Sequence, residues 1–138
     1  MKEINTEAKL NNLNEIRDVM DQYLEELGCP MKVQIQLDIA LEEIFVNIAH
    51  YAYKADNVGG PCRIVFDYDE EKKMFSMEFS DEGVPFDPLK TADPDTTLSV
   101  QERRIGGLGI FMVKKSMDDL QYRWEDGKNI LLIRKALI

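Results

Sequence analysis

Glu43 and Asn47 stand four residues apart in the run Glu42-Glu43-Ile44-Phe45-Val46-Asn47. On a helix they share one face, a turn from each other, with Ile44 and Ile48 flanking them. A carboxylate beside an amide oxygen is a sensible pairing of general base and hard-cation ligand. A second group, Ser80-Asp81-Glu82-Gly83-Val84-Pro85, ends an apolar run. There Asp81 can accept a hydrogen bond from an exocyclic amine, and Gly83 lets the backbone approach a flat ring. A third, Gly106-Gly107-Leu108-Gly109, opens the apolar stretch Ile110 to Met117. Amides at such a helix start can face an anion, and the helix dipole favours negative charge there. It is not a Walker loop, because Ile110-Phe111 stand where Lys-Ser or Lys-Thr would follow. Taken singly, the three groups are better read as a solvated helix face, an Asp-Gly turn and a hinge. Their order along one short chain makes them a candidate site.

The elements that must position these groups follow from periodicity. Residues 1–6 suit an edge strand. From about Glu7 to Leu27, apolar residues Leu10, Leu13, Ile16, Met20, Leu24 and Leu27 recur at helical steps, stopped by Gly28 and Pro30. Val33 to Ile39 alternates like a strand. The run from Met31 to about Lys54 nevertheless lacks Gly and Pro and is too long for one, so it is read as a helix carrying Glu43 and Asn47. Arg63–Tyr68 and Met74–Phe79 predict a hairpin, as do Leu120–Glu125 and Asn129–Lys135 around Asp126-Gly127. Between them lie a long loop, Glu82–Ile105, and a helix beginning at the glycines. A loop of that length is usually functional or disordered. Paired strands with helices between them and no βαβ alternation predict an α+β two-layer sandwich, its helices on one face of a mixed or antiparallel sheet.

The 138 residues suit a single domain, residues 1–138. With 17 Lys+Arg against 26 Asp+Glu, the net charge of −9 disfavours broad nucleic-acid binding and is compatible with a basic protein partner. Cys29 and Cys62 are too few and too far apart for a metal knuckle or disulfide scaffold, and are expected reduced and buried. The N-terminus has no apolar leader and no segment has the length of a membrane span, so a cytoplasmic protein with no membrane partner is expected. His50, the only histidine, is expected to be structural or partly exposed. Phe111, Met112, Val113, Met117 and Trp124 are expected in the core.

The stretches Glu42–Tyr53, Ser80–Pro88 and Gly106–Asp119 make the sequence resemble the GHKL (Bergerat-type) ATPase superfamily, and within it the bacterial anti-sigma-factor serine/threonine kinases. The resemblance covers nearly the whole chain and implies the Bergerat fold, ATP and Mg²⁺. Asn47 would ligate the metal and Glu43 would be the general base for the attacking hydroxyl. Asp81 would accept from the adenine amine, with Gly83 beneath the ring. Gly106, Gly107, Leu108 and Gly109 would cradle phosphates. The lid would span 82–105, and Arg103 or Arg104 could reach the γ-phosphate. Relatives often carry His where Tyr51 stands, and usually Thr where Lys128-Asn129 stand, so Asn129 would donate to Asp81 instead. The arginine pair lies one residue earlier than in relatives. The implied partners are a small antagonist (anti-anti-sigma) protein and a sigma factor, with a homodimer as the assembly. The implied activity is phosphorylation of a serine or threonine on the antagonist. A non-catalytic, ATP-binding switch that sequesters a regulator is the alternative. The start at Met1 and the lack of a linker argue against a fragment of a larger sensor kinase.

Overall fold

The computed structural model describes residues 1–53, 59–90 and 107–138. Five strands form one sheet: β1 (Lys2–Glu7), β2 (Pro61–Asp69), β3 (Met74–Asp81), β4 (Asp119–Glu125) and β5 (Lys128–Ala136). Their order is β1-β2-β3-β5-β4, and every neighbouring pair is antiparallel, which resolves the choice between mixed and antiparallel. Three helices cover one face: α1 (Leu13–Glu26), α2 (Met31–Asn47) and α3 (Gly107–Ser116). The expected α+β two-layer sandwich is the architecture found.

The core lies between the layers. Leu13, Ile16, Met20 and Leu24 of α1 and Leu37, Leu41, Ile44 and Phe45 of α2 pack on Ile64, Phe66, Phe75, Met77 and Phe79. Burying each such side chain contributes roughly 1.5–3 kcal/mol. On α2 the strand-like alternation of Val33, Ile35, Leu37 and Ile39 does not mark core positions. Only Leu37 is buried, while Ile35 and Ile39 are 51% and 43% exposed.

Three boundaries differ from expectation. The first helix does not begin at Glu7, which instead pairs with Pro61 in the β1–β2 ladder; the Ala8 amide then donates to the Gly60 carbonyl. A 3₁₀ turn, Leu10–Asn12, leads into α1 and leaves Leu10 exposed. At the other end of α1, Gly28 takes a φ of +71°, with Cys29 N–H bonding Leu24 O and Gly28 N–H bonding Glu25 O. This Schellman closure satisfies the last carbonyls and explains the stop. The second helix runs as an α-helix to Asn47, with Ile48 N–H still bonding Ile44 O, and continues as a π-helical turn, Ile48–Ala52; Lys54 lies outside the described residues. A short 3₁₀ turn, Pro88–Lys90, interrupts the expected loop, and residues 91–105 of it lie outside the described residues.

The aromatic and sulfur residues are corrected in part. Val113 and Met117 are core, but Met112 and Trp124 are exposed and Phe111 is half-buried. Trp124 falls near the end of β4, an edge strand among the described residues, with no further described strand beside it. Cys62 is buried as expected and Cys29 only half-buried; both are free thiols. His50 is exposed. No helix among the described residues is long and apolar enough to cross a membrane.

Between α1 and α2, the carboxyls of Asp21 and Asp38 meet, and Oδ1 of each is buried without a hydrogen-bond partner among the described residues. Two ionised carboxylates have no proton to donate, so the pair is satisfied only when it holds one. Burial, then the hydrogen bond and charge of Asp21, push Asp38 up to about 7, with Arg17 pulling the other way. Arg17 also pairs with Glu42 at 3.6 Å. The half-buried Cys29 lies near enough to feel both carboxylates. A group whose pKa is raised on folding adds stability below its unfolded pKa and loses it as pH rises through the folded value. Stability therefore falls between about pH 4 and pH 7 on account of this pair. Asp38→Asn should flatten that decline and raise Tm at pH 8 by about 3 °C, with little change at pH 5, as read by thermal melts at both pH values.

Candidate functional site

The site forms where the C-terminal end of α2 meets the ends of β3 and β5. Cross-strand register sets Asp81, the last residue of β3, opposite Asn129 of β5. Both side chains turn inward and are buried, at 6% and 7% exposure, the only polar side chains among the described residues buried to that degree. The β4–β5 hairpin that delivers Asn129 turns at Asp126 (φ +52°) and Gly127 (φ +74°), the two left-handed residues of a tight hairpin.

Asn129 uses its whole amide. Nδ2 donates to Asp81 Oδ1 and to Val84 O, each at 2.9 Å. Oδ1 accepts from the Phe86 N–H at 3.0 Å and from the Tyr122 hydroxyl. An N–H only donates and a backbone carbonyl only accepts, so Phe86 and Val84 fix which end of the amide faces which way. Asp81 Oδ1 accepts a second bond, from Gly83 N–H at 2.9 Å, while its Oδ2 accepts from no described residue. Burial raises the Asp81 carboxyl above the usual range, and the Asn129 and Gly83 donors pull it back.

Asp81, Asn129 and Asn47 line one pocket of about 450 Å³, counted out to open solvent. Its walls are otherwise mainly apolar: Ile44, Ile48, Phe79, Val84, Phe86 and Leu131. A mostly apolar cleft with a few converging polar groups has the make-up of a small-molecule site. No described residue hydrogen-bonds the Asn47 amide, which leaves its oxygen available. One such hard donor fits Mg²⁺, which takes one or two protein ligands and completes its shell with phosphate oxygens and water.

Glu43, one turn before Asn47, lies outside the pocket lining and against the start of α3. A Cβ at Gly109 would fall 1.8 Å from Glu43 Oε2 and 2.0 Å from its Cδ, so any other residue there would push the carboxylate aside. Burial, with the charge of Glu42 adding to it, raises the Glu43 carboxyl above its ordinary range. Gly107, Leu108 and Gly109 form the first turn of α3, whose leading amides have no partner within the helix. Gly83 packs against the end of the π turn. Its missing Cβ would sit 2.3 Å from the Ala52 carbonyl oxygen, and the next amide, Val84 N–H, donates to that oxygen at 3.1 Å. Arg103, Arg104 and Gly106 lie outside the described residues.

Two tyrosines were not singled out as site residues. Tyr122 has no motif and reaches Asn129 only through the diagonal offset between β4 and β5. Tyr53 donates its hydroxyl proton to Pro61 O at 2.6 Å and accepts from Glu82 N–H at 2.7 Å, tying the π turn to the residue after Asp81. Burial is the main reason its hydroxyl is pushed up to about 12, so it stays a neutral donor.

A family model described as a histidine kinase-like ATPase domain matches residues 6–135. The chain is 28% identical over 136 residues to a serine-protein kinase RsbW of Bacillus cereus, covering 96% of this chain and 82% of that protein. A Bacillus thuringiensis serine-protein kinase RsbW matches to the same extent. Among solved structures, the RsbU and RsbW domains of a Mycobacterium tuberculosis protein superpose with a TM-score of 0.68 at 13% identity. The match covers 99% of this chain, which spans a third (33%) of the mycobacterial one. A chain of the Pseudomonas aeruginosa SiaB–SiaC complex superposes with a TM-score of 0.61 at 12% identity, covering 98% of this chain and 89% of its own length.

The contact between Gly83 and Ala52 is testable on its own. Gly83→Ala forces a methyl group into a backbone carbonyl, and overpacking of this kind costs about 1–3 kcal/mol. Denaturant unfolding should show that loss, whereas Gly127→Asn at the exposed hairpin turn should cost less than about 1 kcal/mol.

Proposed function

Because the chain belongs to the histidine kinase-like ATPase domain family, we propose that it binds ATP in the Asp81–Asn129 pocket and transfers the γ-phosphoryl group to a serine or threonine of a small antagonist protein. The observation that carries this reading is the Asp81 carboxylate. It is buried in a mainly apolar pocket with Oδ1 held by two donors and Oδ2 open, an arrangement suited to the amino group of adenine. With the base against Asp81, the Asn47 oxygen faces the phosphate side, and the first turn of α3, Gly107–Gly109, offers amides to the phosphates. Arg103 and Arg104 are proposed to neutralise the γ-phosphate.

Glu43 is proposed as the general base. In the transfer, the substrate hydroxyl oxygen bonds to the γ-phosphorus as the bond from that phosphorus to the β–γ bridging oxygen breaks. ADP leaves and the hydroxyl proton passes to Glu43. A carboxyl raised by burial is a better proton acceptor than one in water. Mg²⁺, when bound at Asn47, neutralises phosphate charge and orients the triphosphate. Positioning and charge neutralisation make up most of phosphoryl-transfer catalysis.

The relatives named serine-protein kinase support the serine/threonine choice, and the solved SiaB–SiaC complex supports a protein partner for this fold. Sequestration of a sigma factor, a homodimer and a cytoplasmic location complete the proposal.

Titration calorimetry with a non-hydrolysable ATP analogue, with and without Mg²⁺, tests the site. Micromolar, Mg²⁺-enhanced binding that is lost in Asp81→Asn is expected; absence of binding in the wild type would remove the ATP reading. Glu43→Ala should abolish transfer to an antagonist protein while nucleotide affinity stays within a few-fold. An equally active variant would remove Glu43 as the base, and a wild type that binds ATP without transferring it would leave the switch that sequesters a regulator.

A further inference from the structure

The hydrogen bonds around Asn129 extend one residue further than base recognition by Asp81 requires. Tyr122 lies on β4 opposite Leu131, which puts its ring diagonal to Asn129 across the β4–β5 pair and into the pocket wall. Its hydroxyl proton goes to Asn129 Oδ1, the oxygen that also accepts from Phe86 N–H. Resting on the nucleotide reading above, we propose that Tyr122 is a positioning residue for base selection. Its hydroxyl braces the Asn129 amide, in the orientation that Phe86 and Val84 set, against the sheet, and the Asp81 carboxylate is thereby held aimed at a 6-amino purine.

Geometry and chemistry converge on this role. Asp81 has one oxygen already occupied by two donors, so its orientation, and with it the direction of Oδ2, depends on those donors staying in place. Gly83 N–H belongs to a backbone pinned on Ala52. Asn129 is the donor free to rotate about its side-chain torsions. Phe86 and Val84, its other two partners, belong to the loop after β3, whereas Tyr122 belongs to the sheet. The tyrosine therefore references the amide, and through it Asp81, to the sheet as well as to the loop. The carboxylate accepts only, so it favours a purine with an amine at position 6 and opposes one with a carbonyl there.

The test uses the full chain, Tyr122→Phe, and two nucleotides, ATP and ITP, which differ at position 6 of the base. Wild type should bind ATP more tightly than ITP. The variant should lose about three- to tenfold in ATP affinity, the size expected for one buried hydrogen bond. Its ITP affinity should stay within twofold, so that the ATP/ITP ratio collapses towards one. A wild-type ratio retained in the variant overturns the inference, as does an equal loss for both nucleotides, which marks a merely structural tyrosine. If the wild type binds neither nucleotide, the nucleotide reading fails before this one. A second readout is the pH profile. Weaker donation to Asp81 lets its carboxyl hold a proton to higher pH, so ATP binding by the variant should fade at a higher pH on acidification than that of wild type. Superimposable profiles count against the proposal.

Discussion

One side-chain amide with every hydrogen-bonding position in use holds the pocket end of this molecule together. Asn129 joins three separate pieces of chain: the end of β3 through Asp81, the following loop through Val84 and Phe86, and the edge strand β4 through Tyr122. The Phe86 N–H can only donate and the Val84 carbonyl can only accept, so the amide has a single satisfied orientation. A buried polar network of this sort is costly if any member is missing and rigid when complete. It lets a carboxylate remain buried, pointing into an apolar cleft, without a cation beside it among the described residues.

The helical layer meets a different constraint. Glu43 and Asn47 share a face of α2, but the structure separates their surroundings. Asn47 opens on the pocket with Asp81, and Glu43 presses on the bare backbone of Gly109. One helix face thus serves two neighbours, the sheet end and the start of α3. The turn of helix between them sets the spacing of any ligand that touches both. Tyr53 performs the matching task at the end of α2, bracing the π turn against β2 and the residue after Asp81.

Much of this was legible from residue types and spacing. The five strands, three helices and both hairpin turns follow from periodicity and from Gly28 and Asp126-Gly127. Asn129 as the donor to Asp81 came from the family resemblance, as the stand-in for the Thr that relatives carry in the last hairpin. Tyr122 was not legible, because a diagonal contact across an edge strand depends on register, which alternation alone does not set. The contact of Gly83 with Ala52 was not legible for a related reason. A glycine signals close approach, and nothing in the sequence says that the approaching group is the Ala52 carbonyl. Trp124 was misplaced because its inward-facing register says nothing about whether another strand lies beyond it.

The π turn at Ile48–Ala52 gives the end of this helix an unusual sensitivity to chain length. Such a turn holds about one residue more than the α-helical path it replaces. Each residue on a helix advances the direction of the next by about 100°. Deleting any one residue between Ile48 and Ala52 would let the helix close up and swing Tyr53 away from Pro61 and Glu82. Adding one would swing it the other way. Substitutions along this segment leave that phase intact, so its exposed position His50 should tolerate changes of residue type far better than the segment tolerates changes of residue number.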